Sequence, residues 1–159
     1  MSEISENLRR VRASLPQEGV TLVAVSKFHP AEAVREAYDA GQRIFGESRA
    51  AELTAKVSLL PDDIVWKFIG HLQTNKVRQV VGHVDLIQSA DRWNLLEALE
   101  KEAARQGICQ KVLLEVNIAG EESKSGFSPE SLWEVLEGFG GFSHCLLYTS
   151  PSPRDRTRS

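Results

Sequence analysis

Leu22 to Lys27 reads Leu-Val-Ala-Val-Ser-Lys, an apolar run that ends at an amine. A run without polar alternation suits a strand covered on both faces, as in a parallel sheet wrapped by helices. Lys27 then stands at the strand's C-terminal end, where ligands bind and chemistry occurs in α/β architectures. An amine held there among apolar neighbours, partly neutral, forms an imine with a carbonyl compound. The plainer alternative is a strand-end lysine whose ammonium sits in water.

Other polar residues follow later apolar runs in the same way. In Phe45-Gly46-Glu47-Ser48, the glycine allows close approach of a ligand to backbone, and Ser48 either touches that ligand or caps the next helix. His71, Asn75 and Lys76 follow the third run within Phe68-Ile69-Gly70-His71-Leu72-Gln73-Thr74-Asn75-Lys76. There a helix start and Lys76 either attract an anion or are simply capped and solvated. Asn117 lies near the end of the fifth run, and Ser123-Lys124-Ser125-Gly126 forms the loop beyond it. Lys124 is either a second amine near the first or a solvated loop lysine. No Gly-x-Gly-x-x-Gly or Gly-x-x-x-x-Gly-Lys phosphate loop occurs. His29, His83 and His144 form no metal-ligand spacing, and Cys109 and Cys145 form neither a Cys-x-x-Cys motif nor a disulfide framework.

Four blocks in one order, Leu22 to Lys27, Ile44 to Ser48, Phe68 to Lys76 and Ser123 to Gly126, resemble the pyridoxal phosphate homeostasis protein family. The resemblance runs from about Thr21 to Gly126. It implies a pyridoxal 5'-phosphate (PLP) carrier related in fold to the barrel domain of alanine racemase, with Lys27 as the Schiff-base lysine. It also implies that Ser48, His71, Asn75, Asn117 and Lys124 surround the cofactor at the barrel mouth. Ser48 stands where family members usually carry asparagine, and a hydroxyl replaces only part of an amide's hydrogen-bonding set. The function so implied is PLP homeostasis, with the cofactor held as a Schiff base and no established turnover. Apoenzymes that use PLP are then candidate recipients. A racemase-like enzyme is the alternative, and it needs a second acid or base opposite the imine. The only tyrosines are Tyr38, placed in a helix, and Tyr148, near the C-terminus. An inert barrel fragment is the third reading.

The elements that position these residues alternate. Ser5 to Ser14 reads as an amphipathic helix before the first strand. Helices are expected from Pro30 to Gly41, from Ala50 to Leu60, after Thr74 or Asn75 as cap, from Asp91 to Gln106, and from Ser128 to about Leu136. Strands are expected at Arg43 to Gly46, Ile64 to Ile69, Val84 to Gln88 and Lys111 to Ile118. This is an α/β pattern, a partial (β/α)8 TIM-type barrel of about the first five βα units. A whole barrel takes about 250 residues, so the chain reads as truncated. In the family, the segments that grip the phosphate belong to the later strands, which predicts weak cofactor binding. The free first and fifth strands are expected to favour self-association.

Composition narrows the classes further. The 159 residues are 42% hydrophobic and 26% charged, ordinary for a globular domain. A net charge of -3, with no basic stripe, argues against nucleic acid as a partner. No apolar run reaches membrane-spanning length, and the N-terminus has no signal-peptide core, so a cytoplasmic location is expected. The domain is expected over residues 1–142. Residues 143–159, with two prolines and three arginines in the last nine, are expected to form a tail outside the fold.

Overall fold

The computed structural model describes residues 2–148, in which six parallel strands pair in chain order. Helix α1 (Glu3–Ser14) opens the chain, its N-cap Ser2 accepting the Ser5 N–H at 3.2 Å. Then follow β1 (Ala24–Val25), α2 (Ala31–Asp39), β2 (Ile44–Glu47), α3 (Ala50–Leu59) and β3 (Val65–Phe68). A 3₁₀ turn at Thr74–Lys76 runs into the short α4 (Val77–Val80), capped by Gln73 without a side-chain bond from Thr74 or Asn75. The rest is β4 (Leu86–Ala90), α5 (Trp93–Gln106), β5 (Gln110–Leu114), α6 (Leu132–Phe139) and β6 (Cys145–Leu147). Among these described residues, no helix is long and apolar enough to cross a membrane.

The pairing sorts side chains into two faces, because alternate residues of a strand point oppositely. One face carries Ala24, Phe45 and Trp66 in one row and Phe68, Ile87, Val112 and Leu147 in another. It packs on the helices, burying Phe45, Phe68, Ile87 and Val112 with Leu53, Leu96, Leu99 and Ala103. Each fully buried leucine there contributes about 1.5–3 kcal/mol. The other face carries the row Val25, Gly46, Lys67, Leu86, Lys111 and Leu146. It is the surface a closed barrel would enclose. Here Val25 and Leu146, at the two edges, remain about half exposed at 52% and 49%. Asp85 joins this face, paired with Lys67 and with Lys111 at 3.8 Å. Those amines hold its carboxyl below the usual range, the Lys67 hydrogen bond leading.

Two expectations need correction. The first concerns α5, whose Trp93, Leu96, Leu99 and Ala103 recur in the sequence at three- and four-residue spacing and so predict one apolar face. Leu95 takes that place in the core, and Trp93 instead stacks on Phe142 at 5.2 Å over Gly138. A Cβ on that glycine would lie 2.6 Å from the indole, so only glycine admits the ring.

The second correction concerns the tail. Residues 143–148 belong to the fold, and the sheet has a sixth strand where five were expected. Cys145 is buried, the Gln110 N–H donates to His144 O at 2.8 Å, and the Tyr148 N–H donates to Val112 O at 2.9 Å. Glu100 on α5 anchors the segment: its carboxylate accepts the Ser143 N–H at 2.8 Å and the His144 N–H at 2.9 Å. Desolvation acts to raise this carboxyl, but the backbone donors outweigh it and hold Glu100 below the usual range. The remainder of the expected tail, residues 149–159, lies outside the described residues.

Burial, with Glu100 nearby, pushes the Cys145 thiol up to about 12, whereas Cys109 is exposed. A thiol reagent at pH 8 should therefore modify Cys109 rapidly and Cys145 only after denaturant is added. Two equally fast cysteines would contradict the sixth strand.

Candidate functional site

A parallel sheet sends every strand's C-terminal end to one rim, and the residues expected to do chemistry lie along it. Lys27 follows β1, Ser48 follows β2, His71 follows β3 and Asn117 follows β5. Lys27 is exposed, in the turn after Ser26, rather than dry among apolar neighbours as expected. The cause is its strand: β1 pairs only with β2, so nothing in the sheet covers the amine from the other side.

Ser48 and His71 come together. Gly70 packs so closely on β2 that a Cβ there would lie 2.3 Å from Ser48 O, which fixes the two strand ends against each other. Beside them is a cavity of about 260 Å³, lined among others by Ser48, Arg49, His71, Gln73 and Lys76. His71 Nδ1 lies 3.3 Å from Asp91 Oδ2. The nearly buried Asp91 also accepts Arg92 at 2.6 Å, and Arg92 reaches back to Leu72 O at 2.5 Å.

The other expected residues do not join this group. Asn75 is exposed outside the cavity lining. Asn117 Nδ2 donates to Glu121 O at 2.7 Å and Lys124 O at 3.2 Å, so its amide closes its own loop. Lys124 is exposed and pairs with Glu121 at 3.3 Å.

Beneath Lys27 lies a buried polar cluster that the sequence reading missed. Glu47, fully buried at the end of β2, accepts Ser26 Oγ at 2.9 Å and pairs with Lys56 of α3. Lys56 Nζ also donates to Ser26 O at 2.8 Å and lies 3.4 Å from Glu52 Oε2. Glu52 Oε2 in turn accepts the Phe28 N–H at 3.0 Å. That bond, helped by Lys56 against desolvation, holds the Glu52 carboxyl below its usual range. Phe28 has φ 65°, the only positive value among the described non-glycine residues, and the Arg49 guanidinium covers its ring at 4.7 Å. A bulky residue held there costs about 1–3 kcal/mol and persists only where surroundings enforce it. A signal was present in the sequence. Lys56 lies three residues beyond Leu53 and six beyond Ala50, on the apolar stripe of α3, where a charge needs a buried partner.

Comparison with known proteins places this geometry. Residues 1–151 match the family of the alanine racemase N-terminal domain. The pyridoxal phosphate homeostasis protein of Aquifex aeolicus is 42% identical over 140 residues, covering 86% of this chain and 61% of its own. That of Pasteurella multocida is 33% identical over 163 residues, covering 98% and 70%. Among solved structures, PipY of Synechococcus elongatus without PLP superposes with a TM-score of 0.85 at 41% identity, over 91% of this chain and 68% of that one. PipY with PLP bound gives 0.81 at 38% identity, over 94% and 72%. An alanine racemase of Clostridium difficile, at 14% identity and a TM-score of 0.75, covering 91% of this chain and 38% of its own, shares the fold. The chain belongs to the alanine racemase N-terminal domain family and, within it, to the pyridoxal phosphate homeostasis proteins. It spans 61% and 60% of the Aquifex aeolicus and Schizosaccharomyces pombe relatives.

Removing one member of a buried ion pair leaves the other uncompensated, whereas replacing both with apolar groups is often neutral. Glu47→Ala should therefore lower the unfolding free energy by about 3–5 kcal/mol, and Glu47→Leu combined with Lys56→Met by about 1 kcal/mol or less. Urea denaturation of the two variants checks this. Equal losses would mean that the pair is not buried in solution.

Proposed function

We propose that this protein binds pyridoxal 5'-phosphate and serves its homeostasis, with Lys27 as the covalent attachment point. The observation that carries the reading is the position of Lys27: an accessible amine at the C-terminal end of β1, in a chain whose relative PipY carries PLP in a solved structure. When bound, the cofactor supplies an aldehyde that a lysine amine holds covalently and reversibly.

The residues present fit such a group in part. Lys27 is reachable from solvent, and Gly46 and Gly70 keep the adjoining strand ends free of side chains. Ser48 offers a hydroxyl and His71 a ring nitrogen at the same rim. The exposure of Lys27 leaves its amine well hydrated and supports weak attachment by this chain. Asn75, Asn117 and Lys124 belong to the proposed rim as its outer members; the loop bonds of Asn117 suit it to shaping the fifth loop around a ligand.

A carrier is favoured over a racemase by the engagement of Tyr38. Its hydroxyl donates to Asp63 Oδ1 at 2.6 Å, and Arg43 lies 3.8 Å over its ring. Arg43 and Asp63 precede β2 and β3, so Tyr38 works at the end of the sheet opposite Lys27. Unpaired Cys109 and Cys145 suit a reducing, cytoplasmic setting, where apoenzymes that use PLP would be the recipients.

The test is to add PLP, trap the adduct with borohydride and map the labelled peptides. Lys27 should carry the largest share of label, and Lys27→Ala should remove that share without raising another lysine in its place. Label spread over surface lysines as in the denatured chain would overturn the assignment.

A further inference from the structure

Lys27 sits between two peptide groups, and α3 holds both of them. The carbonyl of Ser26, in the peptide bond leading into Lys27, accepts Lys56 Nζ at 2.8 Å. The N–H of Phe28, in the peptide bond leading out, donates to Glu52 Oε2 at 3.0 Å. Lys56 and Glu52 lie one helical turn apart at 3.4 Å, so the two grips support one another. Ser26 O also accepts the His29 N–H at 3.1 Å, closing a four-residue turn with Lys27 second and Phe28 third. The third position takes φ 65°, a conformation such turns normally give to glycine or asparagine.

None of these contacts is needed to pair the strand. The Ser26 N–H already donates to Gly46 O at 3.0 Å, which completes the β1–β2 ladder before Lys27. The Glu52 carboxylate grips the turn directly, and the Lys56 ammonium reaches the turn from its pairing with Glu47. We propose that Glu52 and Lys56 are positioning residues for Lys27, fixing the backbone on both sides of it so that an otherwise solvated amine leaves the sheet from one rigid point on the rim. Glu47 orients Lys56 from below, and its second carboxylate oxygen has no partner among the described residues, so Lys56 is its main attachment. The role rests on the reading of Lys27 as attachment residue, but the grip itself can be measured without cofactor.

Two readouts on the full chain separate these. The first is hydrogen exchange of the Phe28 amide by NMR in the absence of PLP. The second is the share of borohydride-trapped label found on Lys27. Glu52 is partly exposed, so Glu52→Ala leaves the core intact. It should lower Phe28 protection about tenfold and the Lys27 share about threefold, with protection in β3 and β4 unchanged. Glu52→Gln keeps an acceptor oxygen and should restore most of both. Glu47→Leu with Lys56→Met, which replaces the pair with apolar groups, should also lower the Lys27 share. Unchanged Phe28 protection in Glu52→Ala overturns the grip, and lost protection with an unchanged Lys27 share overturns its role in positioning. Wild-type label that does not favour Lys27 contradicts the attachment reading instead, and the exchange result then decides the grip by itself.

Discussion

The buried pair of Glu47 and Lys56 is the constraint on which the rim depends. An ammonium and a carboxylate with almost no solvent cost several kcal/mol each to bury, so they persist only where geometry and further hydrogen bonds offset the desolvation. Those further bonds run to Ser26, whose hydroxyl reaches Glu47 and whose carbonyl reaches Lys56. One cluster thus joins the end of β2, the middle of α3 and the turn after β1. Because β1 is only two residues long and an edge strand, it has little pairing of its own to define where it ends. The cluster supplies that definition.

The alternation of strands and helices was legible because apolar runs and helical spacing are local properties of the chain. The residues after each run were legible for the same reason, since a parallel sheet brings every such residue to one rim. Long-range compensation was not. The place of Lys56 on an apolar stripe calls for a buried partner without saying that it is Glu47, nine positions earlier, and Cys145 to Leu147 is masked by the proline- and arginine-rich segment that follows it. Glu100, 43 residues before Ser143, makes that strand possible by accepting the backbone groups at its start. Trp93 fits the helical spacing but leaves the core to Leu95, because its partners, Gly138 and Phe142, come from a later part of the chain.

Lys27 stands at the strand end where the sequence reading expected it, but its surroundings differ from that expectation. The sequence reading wanted an amine kept dry, and the sheet leaves it open to water because only β2 lies beside β1. Backbone rigidity is then the property left to distinguish Lys27 from the exposed Lys76 and Lys124 along the same rim. Shielding from solvent does not separate the three.

The most direct test of the account is the state of the Lys56 ammonium in solution. In nitrogen-15 NMR spectra, an ammonium buried between Glu47, Ser26 and Glu52 should give a resolved signal whose protons exchange slowly with water and correlate with the Glu47 carboxylate carbon. A Lys56 signal averaged with water, like those of the surface lysines, would contradict it.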